Sequence, residues 1–324
     1  MQNLIKIFEA LPIPEPSNDS ANFSATQLEG TSHRIAKDSS GSPVLLLQNN
    51  SNQRGARIHL EHLDIQHSVR CRVTSDKNTE EDTYTVVRCI DADSDLVRYF
   101  LHTIDPILKT LGPTPAFTDI SQAITHLTEL FRALTQPPIK SVSGLWAELF
   151  VIRNSKDIKV LLRAWHIAPE EKYDFSSSTQ RIEVKGTSRR DRIHHFSLEQ
   201  LTPPAGCKVV VASLFVERNG GGMSLGDMIE EIRKDLVSEP DLQERLDRVV
   251  ASTLGNALRQ SLTSRFDREL AKESLSFFDA ATVPKISQPL PSGIQDVHFK
   301  SNLNQSTSLN RNALMEEGGI FALL

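Results

Sequence analysis

The sequence predicts an α/β (α+β) chain, with a mixed sheet wrapped by helices, a β-rich region before it and a mainly helical region after it. Three observations lead there. Residues 44–90 carry short runs of alternating or β-branched character; residues 142–237 switch repeatedly between helical and strand-like periodicity; residues 240–276 keep helical spacing almost throughout.

A short helix opens the chain, and the Ser/Asn/Asp/Pro-rich remainder of the first 40 residues reads as loop. Strands are expected at 44–48, 57–65, 68–73 and 83–90, and an antiparallel meander is their simplest arrangement. Leu96, Val97, Phe100, Leu101, Ile104 and Leu108 line one face of a helix over 95–111, which Gly112 and Pro113 end. A second helix, over 120–134, stops at Pro137 and Pro138. Next come a helix at 142–153, strands at 160–164, 172–175 and 181–187, a short helix after Ser197, a strand at 208–217 and a helix at 225–237. Past the helical stretch from Pro240, short strands are expected near 283–286 and 294–300, then a polar loop over 301–312. These elements divide the chain into a β-rich domain (1–112), an α/β core (113–239) and a helical C-terminal region with short strands and a polar loop (240–324).

With 324 residues, 39% hydrophobic and 24% charged, the chain can bury a sizeable core, and disorder, collagen and a membrane bundle are excluded as classes. Lys and Arg number 36 against 41 Asp and Glu, a net charge of -5, so any nucleic-acid affinity has to come from a local patch. Cys71, Cys89 and Cys207 form no CxxC and no even-numbered framework, which argues against a zinc ribbon or a secreted disulfide scaffold. The N-terminal stretch is broken by Lys6, Glu9 and prolines, and the longest apolar run, 209–216, is far too short to span a bilayer. A cytoplasmic protein with no membrane partner is expected.

Two charged positions stand out. In the window GLWAELFVI (144–152) a helix has almost no polar face, yet Glu148 lies on the same stripe as Leu145 and Ile152. A buried carboxylate without a partner costs several kcal/mol, so a cation or hydrogen-bond network is expected beside it. In RIEVKGT (181–187), Ile182 and Val184 face one way on a strand while Glu183 and Lys185 share the other side. A hairpin from the preceding KYDF segment can bring Asp174 beside Glu183. Carboxylates that converge in this way suit a hard divalent cation with oxygen ligands.

The arrangement of Glu148, Asp174 and Glu183-Val184-Lys185 resembles the PD-(D/E)XK nuclease superfamily. The longer run through HHFSLEQL looks more particularly like a prokaryotic family of restriction-type nucleases named only for this motif, with Tyr173-Asp174 where the motif has Pro-Asp. The resemblance implies a restriction-endonuclease-like α-β-β-β-α-β core. It also implies a DNA endonuclease dependent on Mg²⁺, with Mn²⁺ as a substitute. Asp174, Glu183, Glu148 and the Val184 carbonyl would hold the metal, and Glu148, Asp174, Glu183 and Lys185 would form the catalytic set. Double-stranded DNA, partner proteins of a restriction or phage-defence system, and a second copy of the chain are the partners it implies. A catalytically silent module that keeps the nuclease fold for binding or assembly is the alternative.

Residues 181–195 hold five Lys and Arg against Glu183 and Asp191, a local excess of positive charge beside the site. Arg189, Arg190 and Arg192 are the candidates for phosphate contact. Gln200 either reaches a metal-bound water or caps a strand end, and Ser197 is also a plain N-cap. His59 and His67 share a strand face that His62 does not, so these three read as polar surface. The glycine-rich 218–222 lacks the Lys-Ser/Thr of a phosphate-binding loop, Cys207 reads as a small hydrophobe, and Trp146 and Trp165 read as core anchors.

Overall fold

A computed structural model describes residues 4–15, 21–48, 55–75, 78–90, 93–113, 115–166, 171–287 and 289–324. It is a mixed α+β structure with two compact units, Met1–Gln136 and Pro137–Leu324.

The first unit contains α1 (Leu4–Ala10), β1 (Asn22–Gln27), β2 (Arg34–Lys37), β3 (Pro43–Gln48), β4 (Ile58–His59), β5 (Leu63–Ser75), β6 (Asn78–Cys89), α2 (Ser94–Leu111) and α3 (Phe117–Ala133). The strands do more than meander. They run β1-β2-β3-β6-β5, and β5 returns to pair with β1 in parallel, so the five close into a ring that leaves no open edge between them. The expected loop before residue 40 therefore holds two strands. Their polar sequence hid Phe23, Ala25 and Ile35, all of which are buried. The strand expected at 57–65 divides into β4 and the start of β5, and β5 takes in the one expected at 68–73 through a bulge between Gln66 and Val69, where Ser68 takes a positive φ of 53°.

In the second unit, α4 (Val142–Arg153) starts at Ser141, whose hydroxyl accepts from Gly144 N at 3.1 Å, and it is buried on nearly every face from Leu145 to Ile152. The segment 160–164, expected as a strand, lies in helix α5 (Ile158–Ala164). A short apolar run fits either element, and the deciding signal is Asp157, which caps the helix by accepting from Val160 N. There follow β7 (Phe175–Ser177), β8 (Gln180–Thr187), β9 (Ile193–Ser197), a 3₁₀ turn at Leu198–Leu201, β10 (Lys208–Phe215), β11 (Arg218–Ser224) and α6 (Leu225–Asp235). The helical stretch after Pro240 is broken into α7 (Pro240–Leu254), α8 (Leu258–Leu262) and α9 (Arg268–Ser274), with β12 (Arg265–Phe266) between the last two. The chain then continues through β13 (Ser276–Asp279), β14 (His298–Asn302), β15 (Ser308–Leu309) and α10 (Arg311–Glu317); residues 283–286 form no strand.

The main sheet runs β15-β13-β10-β8-β7, with β8 and β10 parallel and the other pairs antiparallel. β9 is not in that sheet; it pairs with β14 instead. Gly186 lets α4 lie close on β8: a Cβ there would sit 3.2 Å from Ala147 Cβ and 3.0 Å from Val216 Cγ2. That close approach sets Glu148 over the strand that carries Glu183 and Lys185.

Candidate metal and catalytic centre

The site is assembled from the middle of α4, the chain end entering β7, the middle of β8 and the 3₁₀ turn after β9. Glu148, Asp174 and Glu183 are all buried, at 3%, 5% and 3% exposure. Glu148 is satisfied by three donors. Lys140 Nζ reaches its Oε1 at 2.8 Å, while Trp165 Nε1 at 2.7 Å and His166 Nε2 at 2.9 Å meet its Oε2. Burial opposes its charge, yet the His166 and Lys140 contacts outweigh that and hold its pKa down to about 2. The cation expected beside Glu148 is therefore Lys140, eight residues earlier in the chain.

Lys140 Nζ also touches Asp174 Oδ1 at 2.7 Å. Asp174 sits one residue before β7, and its second oxygen accepts from Val184 N at 2.7 Å. Burial and then the charge of Glu148 raise its pKa, against the pull of Lys140. Burial works against the Lys140 ammonium, but Asp174 and Glu148 together override it and raise its pKa. The second half of the site centres on Glu183, whose Oε1 takes Lys185 Nζ at 2.7 Å and Gln200 Nε2 at 2.7 Å. Burial first, and Asp174 second, push its pKa up to about 8. Its Oε2 is buried and has no hydrogen-bond partner among the described residues.

The four expected catalytic residues thus form two linked halves, Glu148–Lys140–Asp174 and Glu183–Lys185, with the Val184 amide tied to Asp174. Gln200 is part of the second half. It also accepts from Ser197 N at 3.1 Å and from Lys185 Nζ at 3.3 Å, so it positions both charged partners. Arg189 and Arg190 are exposed, the latter paired with Glu217 at 3.2 Å. Arg192 turns inward: its guanidinium donates to Ser213 O and Ser213 Oγ, both at 2.8 Å, and to Ser274 O, and it lies over the Phe215 ring.

Sequence reading missed Lys140, His166 and the polar role of Trp165. A lysine just after Pro137-Pro138 and a Trp-His pair behind a helix carry no motif; only the expectation that Glu148 needs partners pointed to them. Glu148, His166 and Asp174 present ligand atoms within 4.8 Å of one another, the one such cluster among the described residues. His59, His62 and His67 are not part of it, and His59 instead faces Asp64.

A family model described as "Putative PD-(D/E)XK family member, (DUF4420)" matches residues 4–304. The chain belongs to this family. The resemblance first seen in about 60 residues therefore extends over nearly the whole chain, and it supports a nuclease-like fold. No curated protein and no solved structure matches the chain. Among the described residues, no helix is long and apolar enough to cross a membrane.

The residues present fit a divalent metal. Glu148 and Asp174 converge with His166, a cation from the chain itself already bridges the two carboxylates, and the buried Glu183, which feels the charge of Asp174, keeps one oxygen without a hydrogen-bond partner among the described residues. Such an oxygen-rich donor set suits Mg²⁺ or Mn²⁺, and the His166 nitrogen is compatible with Mn²⁺.

Proposed function

We propose that the chain is a Mg²⁺-dependent DNA endonuclease, able to use Mn²⁺, and the cleavage component of a prokaryotic restriction or phage-defence system. The observation that carries this reading is the gathering of three buried carboxylates, Glu148, Asp174 and Glu183, with the half-buried Lys185, from three separate stretches of a family member. Buried like charges are expensive, and a scaffold gains nothing from them.

Asp174 and Glu183 would hold the metal, with Glu148 joining directly or through water. The Val184 carbonyl is a further candidate, since the N–H and C=O of one strand residue leave on the same side and the Val184 N–H faces Asp174. The bound ion would supply a water of lowered pKa and polarise the phosphodiester. Lys185, steadied by Glu183 and Gln200, orients the attacking water and stabilises negative charge that develops on the phosphorus oxygens. Arg189 and Arg190 meet the backbone of double-stranded DNA. Residues 113–239 carry the chemistry, while 1–112 and 240–324 recognise substrate, defence-system partners or a second copy.

Plasmid nicking in Mg²⁺ by the purified chain, lost in Glu183→Ala and Lys185→Ala, is the expected result. Nicking that persists equally in both variants would refute it. One observation favours a second reading, a silent nuclease-fold module: Lys140 already pairs with both Glu148 and Asp174. On that reading Asp174→Asn leaves the thermal response to Mg²⁺ and Mn²⁺ unchanged.

A further inference from the structure

We infer that the Lys140 ammonium is a resident cation occupying the metal position of this site, so that a divalent ion binds at Glu148 and Asp174 only when Lys140 leaves. The inference rests on the metal site proposed above and adds a gate to it.

The geometry is specific. Lys140 Nζ lies 2.8 Å from Glu148 Oε1, 2.7 Å from Asp174 Oδ1 and 3.4 Å from His166 Nε2. Those are the three residues whose ligand atoms cluster tightly enough to hold a metal. One ammonium therefore contacts every member of the cluster, and a second cation cannot share that centre without strong repulsion.

Charge balance points the same way. At this centre the Glu148 and Asp174 carboxylates against the Lys140 ammonium leave one negative charge uncompensated. A divalent ion in place of Lys140 brings the cluster to neutrality, whereas a divalent ion added beside Lys140 leaves it one charge positive. The exchange is also mechanically open. The Lys140 side chain keeps 25% of its surface exposed, so its flexible stem can swing into solvent. The backbone at its root stays anchored, with Ile139 N bonded to Thr253 O at 2.9 Å.

The function that follows is a gate. The chain folds and persists with its acidic centre partly compensated by its own lysine, and metal loading is set against an internal competitor. Substrate phosphate is a competing partner for the released ammonium, so DNA and metal are expected to load together.

The test is Mn²⁺ binding by calorimetry and by the loss of free-ion electron-spin resonance, on the full chain and on Lys140→Met. The variant should bind Mn²⁺ about tenfold more tightly or better, and Glu148→Gln in the Lys140→Met background should abolish the gain. Equal or weaker affinity in a folded Lys140→Met overturns the inference. A second measurement needs no variant: reductive methylation of Lys140, followed by mass spectrometry, should speed up when Mn²⁺ is added to the wild-type chain. An unchanged rate also overturns it. Failure of the nuclease reading stays separable. Plasmid nicking that is indifferent to Glu183→Ala removes that reading while a tighter Mn²⁺ site in Lys140→Met still stands, and equal Mn²⁺ affinity with nicking intact removes only the gate.

Discussion

Glu183→Gln should make the metal-free protein more stable while abolishing cleavage. Glu183 titrates at about 8 in the folded chain, pushed up by burial and by Asp174, against an ordinary value of 4.5. A folded-state pKa above the unfolded one means that its contribution to stability is fully present below about pH 4.5 and is lost as pH rises through about 8. At 1.36 kcal/mol per pKa unit, that window corresponds to an upper limit of roughly 5 kcal/mol. Glutamine cannot ionise, so the variant keeps the low-pH condition throughout. With EDTA present we expect it to exceed wild type by about 1–4 kcal/mol near pH 8, the difference closing below about pH 4.5. Urea unfolding followed by tryptophan fluorescence reads this directly, because Trp146 and Trp165 are the only tryptophans and both lie in the second unit. A variant less stable than wild type near pH 8, or a difference that ignores pH, would refute the reasoning.

Trp165→Phe removes a buried donor from Glu148 Oε2 and should cost about 2 kcal/mol, measured by urea unfolding with Trp146 as the remaining fluorophore. Arg192→Ala should destabilise by about 2–4 kcal/mol, because it leaves the Ser213 and Ser274 carbonyls without that donor. It should leave the salt dependence of DNA binding alone, as judged by fluorescence anisotropy over a salt series. By contrast, Arg189→Ala with Arg190→Ala should keep the melting temperature and shallow that salt slope by about two phosphate contacts.

The chemistry of the site was more legible than its surroundings. Glu183 and Lys185 follow from strand alternation, Asp174 from a hairpin of the right length, and Glu148 from being the one charge in the otherwise apolar window 144–152. Each is an exception to a local pattern, which a single sequence displays. The missed partners are not exceptions to anything. Lys140 lies in the loop before α4 and His166 lies just past α5, so only the tertiary fold gives them meaning. The same limit explains the ring in the first unit. Closing β1 against β5 is a pairing across some 50 residues, and nothing local in Asn-Phe-Ser-Ala announces it. The 160–164 error was of another kind, since the Asp157 cap was visible in the sequence and outweighs the β-branched Val160.

Burial alone does not make a carboxylate functional, and Asp64 of the first unit supplies the contrast. It is 3% exposed, as Glu183 is, and burial opposes its charge too. Its oxygens, however, are taken by Arg57 at 2.8 Å, Gln66 at 2.8 Å and His59 at 3.2 Å, and these contacts carry its pKa below the ordinary 3.8. Its stabilising contribution is therefore present above that value and lost as pH falls through the depressed one. Asp64→Asn should destabilise the first unit by about 1–3 kcal/mol, seen as faster hydrogen exchange along β5. Glu183→Gln should do the opposite in the second unit. Two acids of equal burial then respond with opposite sign, because one environment is finished by the chain's own donors while the other leaves charge for an outside cation to supply. If both substitutions destabilise, the surplus negative charge at Glu183 is not real, and the case for a metal there falls with it.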